Sequence, residues 1–428
     1  MKMFIIIKAI LKNYFNILKN LKVNDLNKNY NVLKKINHEL VNNLHLNIEV
    51  INLNKTKLDS CFIICNHQDY NDIFCLIETF KQPIKFIAKK ELFKLPLFNK
   101  FIKLSNSYSL DRNDSRQGVN LFKQVSTDVK NNKGSVVVFP EGTRNKSKLF
   151  LEFNTGLFSI MKRNKLPILP IYISYKDNNV RIVINELVKA NEYQELSSVE
   201  LKDVIFNKIS KLKKEYNLNN DALNIMGLGD SITAGEDYLG NITKGYYQRV
   251  IDYLDNEGLV LNSNNKAISG IDSAYLNNYL DNKELINDIK KTNLIMMSIG
   301  ANDILKIVKK GKITKEDLLN EYHIVFNKTK KIIEKIIVIN NNIKIILMGL
   351  YFPYPHSKVF QIFNDMDLLN NYYKNIASTY KQVSFINVAD EIFNNKDSFL
   401  PSKRNIHLSD KGYEYLTKKV INELRGIL

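Results

Sequence analysis

Residues 61–72 read CFIICNHQDYND. Five apolar residues, Cys61 to Cys65, give way at once to a polar cluster in which His67 stands five positions before Asp72. The apolar run has the length of a buried strand. A histidine just past such a strand is either part of a polar turn or the base end of an active site, because the strand fixes the backbone while the loop exposes the side chain. Strand-like runs recur at 84–88, 135–139 and 168–174, and a helical pattern over 115–132 is stopped at Gly134. This alternation predicts an α/β fold.

A Lys-rich helical stretch over 205–217 runs into Asn217-Leu218-Asn219-Asn220-Asp221, and a new strand begins at Leu223. A chain of 428 residues exceeds one ordinary core. The reading is therefore an N-terminal helical region over 1–40, an α/β domain over 41–220 and a second α/β domain over 221–428. In the second, strand signals at 223–228, 259–261, 293–299, 343–350 and 384–388 alternate with helical ones near 244–256, 275–291, 315–339, 366–380 and 409–426. Apolar strands separated by helices predict a parallel sheet covered on both faces, with ligands beyond the carboxyl ends of its strands.

Charge is divided unevenly. Residues 1–220 hold 36 Lys and Arg against 20 Asp and Glu, an excess of +16, whereas residues 221–428 hold 26 against 24. The basic half suits an anionic surface or a phosphorylated substrate. No zinc-finger spacing and no aromatic RNA-binding motif supports nucleic acid. Cys61, Cys65 and Cys75 are the three cysteines; they have no metal-ligand spacing and read as buried reduced thiols.

The segment MKMFIIIKAILKNYFNILKNLK is interrupted too soon by Lys8 to span a bilayer, and no small-residue cleavage site follows it. Phe4, Ile7, Leu11, Phe15 and Leu18 recur at helical spacing between Lys2, Lys8, Lys12, Lys19 and Lys22. That pattern predicts an amphipathic helix lying on an anionic membrane, and so a peripheral protein at the cytoplasmic face; the alternative is a surface helix that covers the core.

Three further clusters accompany NHQDYND. SNSYSLDR ends in Asp111 and Arg112. SVVVFPEGTR carries Glu141, Gly142, Thr143 and Arg144 after a strand and a proline stop. LPILPIYI, at 166–173, is a proline-bracketed strand. The arginines offer planar forks for phosphate, and Gly142 allows close backbone approach. In this order and spacing the four blocks, with KFIAKKELFKLPLF before the second, resemble the glycerolipid acyltransferases related to 1-acylglycerol-3-phosphate acyltransferase, over about residues 50–190. One departure is Asp69 where the family often has Ser. The resemblance implies that His67 deprotonates a glycerol hydroxyl while Asp72 orients it. It also implies that the alkoxide attacks an acyl thioester of coenzyme A or acyl carrier protein. Arg112, Glu141, Gly142, Thr143 and Arg144 are then expected to hold the acceptor phosphate.

In the second half, IMGLGDSITAG takes a strand into a Gly-rich turn carrying Ser231. It lacks the GK[ST] of a phosphate loop; a serine on such a turn, beside free N–H groups, suits a nucleophile. AISG, IGAND and NIHLSDKGY follow, with Gly270, Asn302 and His407. These blocks resemble those of the SGNH (GDSL) hydrolases over nearly all of 222–428. The resemblance implies a flavodoxin-like sheet, a Ser231–His407 nucleophile–base pair, and an oxyanion hole made by the N–H groups of Ser231 and Gly270 and the amide of Asn302. It departs from the pattern at Arg404, where the family commonly has an Asp three residues before the histidine. Asn405, a backbone carbonyl or another acid such as Asp397 is left to orient His407, and a degenerate, non-catalytic module is the alternative.

Together the blocks predict a bifunctional lipid enzyme that makes phosphatidate from lysophosphatidate and carries an esterase, with acyl remodelling as the joint role. No metal or bound cofactor is expected. A thioesterase or small-ester esterase is the alternative for the second half.

Overall fold

The computed structural model describes residues 2–428 except 24, 53, 55–58, 112–113, 220, 311–313, 352–365 and 403–404; the side chains of 2–3, 96–98, 115 and 366 are also outside the description. Arg112 and Arg404 therefore lie outside the described residues. The chain divides into two compact units, Met1–Asn220 and Asp221–Leu428.

The first unit is built on a seven-stranded sheet. Its strands are β1 (Asn47–Ile51), β2 (Phe62–Cys65), β3 (Ile84–Lys89), β4 (Tyr108–Leu110), β5 (Ser135–Val138), β6 (Ile168–Lys176) and β7 (Asn179–Ile184). Their order is β1-β7-β6-β2-β5-β3-β4. Only β6 and β7 pair antiparallel. The strand signals at 61–65, 84–88, 135–139 and 168–174 correspond to β2, β3, β5 and β6. Their continuous apolar character follows from burial on both faces: Ile63 and Cys65 enter one core, and Phe62 and Ile64 the other.

The helix over Ser115–Lys130 begins where Asp114 accepts from the Gln117 N–H. The N-terminal segment forms two helices, Lys2–Lys12 and Tyr14–Val23, before a third over Leu26–Asn43. Ile6, Ile10 and Ile17 join the first core together with Tyr30, Leu33 and Leu40, so residues 1–40 are part of this unit's packing. The other face of the first two helices points outward: Phe4 is 71% exposed, Leu11 54% and Phe15 85%. Lys8, Lys12, Lys19 and Lys22 are also exposed. No described helix is long and apolar enough to cross a membrane.

The second unit has five strands, β8 (Leu223–Gly229), β9 (Val260–Asn265), β10 (Leu294–Ser298), β11 (Lys344–Met348) and β12 (Val383–Ile386). All pair parallel, in the order β12-β11-β10-β8-β9. This is the flavodoxin-like order, which reverses between its first and third strands, here β8 and β10. Met226, Leu228, Ile295 and Met297 enter one core with residues of the helices over 273–291, 315–339 and 366–379. Ile225, Met296 and Ile346 on the alternate positions are buried too, so both faces are covered. The single helix expected over 275–291 is two, Ser273–Tyr279 and Lys283–Lys291, because Asn282 caps a new start with its side chain on the Glu284 and Leu285 N–H groups.

Candidate active sites

In the first unit β2 lies between β6 and β5, and all that follows depends on that adjacency. NHQDYND leaves the carboxyl end of β2, and FPEGTR leaves the same end of its parallel neighbour β5. Asn66 ties the first turn down: its side chain donates to the Ile173 carbonyl (2.9 Å) and accepts from the Ile173 N–H (2.8 Å). His67 then leaves the sheet. Its ring stacks on Phe139 at 4.0 Å between centroids.

Asp72 sits in the first turn of the helix over Asn71–Thr79 and is fully buried. Its Oδ2 accepts from His67 Nδ1 at 2.7 Å and from the Gln68 and Asp69 N–H groups at 2.8 and 3.1 Å. Its Oδ1 accepts from the Tyr175 hydroxyl at 2.7 Å. Four donors stabilise one buried carboxylate, which in turn holds the proton on His67 Nδ1 and leaves Nε2 as the basic edge. Tyr175, at the end of β6, was not anticipated. Burial first, and then the Asp72 charge, pushes its phenol far above the ordinary range, so it remains a donor. Burial also pushes the Cys61 and Cys75 thiols up to about 12, which makes them poor nucleophiles.

Glu141 is a correction. It was expected among the phosphate-holding residues, but its carboxylate is buried and spent on backbone: Oε1 accepts from the His67 N–H at 2.9 Å and Oε2 from the Leu151 N–H at 3.0 Å. A carboxylate also repels phosphate, so Glu141 shapes the loop instead. Burial raises its pKa, opposed by those same N–H groups. Gly142 has φ +69°, a left-handed turn that calls for glycine, and a Cβ there would meet no protein atom within 4 Å. Thr143 and Arg144 are exposed. The Arg144 guanidinium lies 3.7 Å from the Tyr70 ring centroid, and the next residue, Asn145, donates its N–H to the His67 carbonyl at 2.7 Å. Asp111 pairs with Lys90 at 2.8 Å.

In the second unit Ser231 follows β8 and Asn302 follows β10, on either side of the order reversal. Gly229 has φ +111°, and a Cβ there would lie 1.9 Å from the Ser298 carbonyl oxygen. Only glycine lets β8 turn so close to β10. Asp230 caps the turn through the Ile232 N–H and accepts from the Ser298 hydroxyl at 2.5 Å. Burial pushes its carboxyl up to about 6.

The Ser231 Oγ–His407 Nε2 distance is 2.7 Å. Burial lowers the His407 pKa, partly offset by the Glu236 and Asp237 charges, so the imidazole is held in its basic form. Ser231 and Asn302 line one pocket whose wall is largely apolar, with Ile304, Leu305, Met348 and Leu350. Asn302 Nδ2 donates to the Ile271 carbonyl at 2.8 Å, which leaves the second amide N–H of that group for a ligand. Gly270 has φ +80° on an exposed turn and is not among the residues lining the pocket.

The partners proposed for His407 are also corrected. Asn405 Oδ1 accepts from the His407 backbone N–H at 3.0 Å, not from the ring. Neither it nor Asp397 bonds Nδ1, which makes no hydrogen bond among the described residues.

Two α/β units thus carry two different constellations: a carboxylate-held histidine above one sheet and a serine–histidine pair above the other. Residues 47–174 match the family model described as Acyltransferase, and residues 228–415 match that of the GDSL-like Lipase/Acylhydrolase family. The chain joins an acyltransferase-family segment to a GDSL-family segment. It is 32% identical over 124 residues to the 1-acyl-sn-glycerol-3-phosphate acyltransferase of Cocos nucifera, covering 28% of this chain and 40% of that protein. The enzyme of the same name from Saccharomyces cerevisiae is 33% identical over 133 residues, 31% of this chain and 44% of the relative. The chain thus spans less than half the length of these relatives.

Among solved structures, the 1-acyl-sn-glycerophosphate (LPA) acyltransferase PlsC from Thermotoga maritima aligns with a TM-score of 0.40 and 21% identity, over 49% of this chain and 95% of its own. The lipase/acylhydrolase from Enterococcus faecalis aligns with 0.38 and 20%, over 48% and 97%.

Proposed function

We propose that the first unit transfers an acyl group from a thioester to lysophosphatidate, and that the second is a serine hydrolase of acyl esters. In the transfer, His67 Nε2 takes the proton of the free glycerol hydroxyl. The oxygen attacks the thioester carbonyl, the C–S bond breaks, and the imidazolium returns the proton to the leaving thiolate. Arg144 and Thr143 hold the acceptor phosphate, and Arg112, of the separate SNSYSLDR block, is assigned to it by the motif alone. The acyl donor is a thioester of coenzyme A or acyl carrier protein. The observation that carries this reading is the His67–Asp72 contact, in which four donors fix the carboxylate that fixes the base.

The lipid substrate places the enzyme at a membrane as a peripheral protein on the cytoplasmic, anionic face. The outward stripe of Phe4, Leu11 and Phe15, flanked by exposed lysines, supports this. In the hydrolase, Ser231 attacks an acyl carbonyl, His407 takes its proton, and the apolar pocket receives the acyl chain. The 2.7 Å Ser231–His407 contact favours an active enzyme over a degenerate module. Acyl remodelling of phospholipids joins the two activities.

The test is lipid analysis after purified protein is incubated with lysophosphatidate and either acyl donor. Phosphatidate is expected; its absence with both donors refutes the first assignment. A fluorophosphonate probe should label Ser231, and a protein that stays unlabelled refutes the second.

A further inference from the structure

For His407 Nε2 to accept the Ser231 proton, the other ring nitrogen must carry its hydrogen and be held. Nδ1 is buried and, among the described residues, without a hydrogen bond. The carboxylate that faces it comes from an unexpected direction: Glu236 Oε1 stands 3.4 Å from Nδ1. Glu236 lies five residues beyond the nucleophile, on the loop that leaves its turn. Its side chain is 17% exposed and that of His407 13%.

The loop is anchored on both sides of the pair. The Glu236 N–H donates to the Ser231 carbonyl at 3.0 Å. The Glu236 carbonyl accepts from the Tyr413 hydroxyl at 2.5 Å, and Oε2 accepts from the Ser269 hydroxyl. Ser269 precedes Gly270, so one carboxylate touches the histidine and the segment expected to help bind the oxyanion. Among the described residues, the other charge acting on His407 is that of Asp237.

We infer that Glu236 is the positioning acid of this site, supplied by the nucleophile loop in place of an acid before the histidine. This rests on the serine-hydrolase reading of the second unit. When Ser231 loses its proton to Nε2, the imidazolium gains a positive charge and its Nδ1–H closes on the Glu236 carboxylate. A chain supplied in this way has no need of an Asp at position 404, and its arginine there is compatible with turnover.

The experiment uses the full chain and a small aryl ester, comparing wild type, S231A, E236Q and E236D. E236Q should lower kcat by about 10²-fold or more while KM changes by less than about threefold. It should also move the acid limb of the kcat/KM profile to lower pH, because the imidazolium loses a stabilising charge. E236D should retain more activity than E236Q, because it keeps a carboxylate on the same loop.

The inference is overturned if E236Q stays within about threefold of wild type with an unmoved acid limb. It is equally overturned if E236Q loses rate while the acid limb stays in place, which is what a merely structural role would give. Should E236Q fail to fold, E236D decides: a folded E236D no more active than S231A refutes the role, and intermediate activity supports it. Wild-type protein that neither hydrolyses the ester nor takes up a fluorophosphonate refutes the hydrolase reading itself, a separate result.

Discussion

Replacing Tyr175 by phenylalanine removes one oxygen and keeps the ring. That oxygen donates to Asp72 Oδ1 at 2.7 Å in a buried setting. A hydrogen bond to a charged group contributes about 1.5–3 kcal/mol. Asp72 keeps three other donors, all on Oδ2, so the carboxylate is not orphaned and the lower end applies, about 1.5–2 kcal/mol. In a unit of this size each kcal/mol moves Tm by about 2–4 °C, which gives a fall of about 3–8 °C.

The effect on rate should be smaller, because His67 is held by the other oxygen. A carboxylate freed at Oδ1 positions the ring less well, and about a three- to tenfold loss of kcat/KM is expected, equivalent to about 0.7–1.4 kcal/mol. Asp72→Asn is the contrast. A carboxamide has one acceptor oxygen where the site presents four donors, so transfer should fall about 10²–10⁴-fold. The assay is phosphatidate formation from lysophosphatidate and a labelled acyl donor, with thermal melts alongside. Tyr175→Phe with wild-type Tm and rate, or with a loss as large as that of Asp72→Asn, would refute this account of the carboxylate.

Three other outcomes follow from the same geometry. His67→Ala should cost transfer about 10²–10⁴-fold and leave aryl-ester hydrolysis unchanged, since the base belongs to the first unit; equal loss of both activities contradicts this. Substituting serine at Phe4, Leu11 and Phe15 together should reduce sedimentation with anionic vesicles and spare Tm, whereas deleting the helices would also strip Ile6, Ile10 and Ile17 from the core; raised salt should weaken binding in either protein. Undiminished sedimentation of the triple variant argues against an interfacial role. The lowered pKa of His407 keeps the imidazole neutral to lower pH, so the acid limb of ester hydrolysis should lie below the ordinary value of about 6.5; a limb above 7 contradicts the burial account.

What the sequence disclosed was local. His67 and Asp72 are five residues apart, and one turn plus the start of a helix brings them together. The second sheet was legible through β8, β10 and β11, whose apolar runs are buried on both faces and so lack the polar alternation of an edge, whereas β9 is an exposed edge signalled only by its first residues. β1, β4 and β7 were missed for the opposite reason: they lie toward the edges of the first sheet, and β1 is nowhere fully buried. Glu141 misled because it stands beside Arg144 in the chain, yet the loop turns it inward while the arginine faces outward. Tyr175 meets Asp72 across 103 positions, and no local pattern encodes such a contact. Glu236 stands five residues after Ser231 but 171 before His407, so no local spacing ties it to the imidazole.

Asn66 has a consequence for motion. By bonding both the N–H and the carbonyl of Ile173, its side chain acts as one more rung of the ladder between β2 and β6, one peptide from the catalytic histidine. Binding and catalytic loops usually belong to the parts of a protein that open most readily. Here the Ile173 amide can exchange its hydrogen only when the centre of the sheet opens, so its protection should approach that of β2 itself. The base is then as rigid as the core beneath it, and it is the lipid and the acyl donor that must move to meet it.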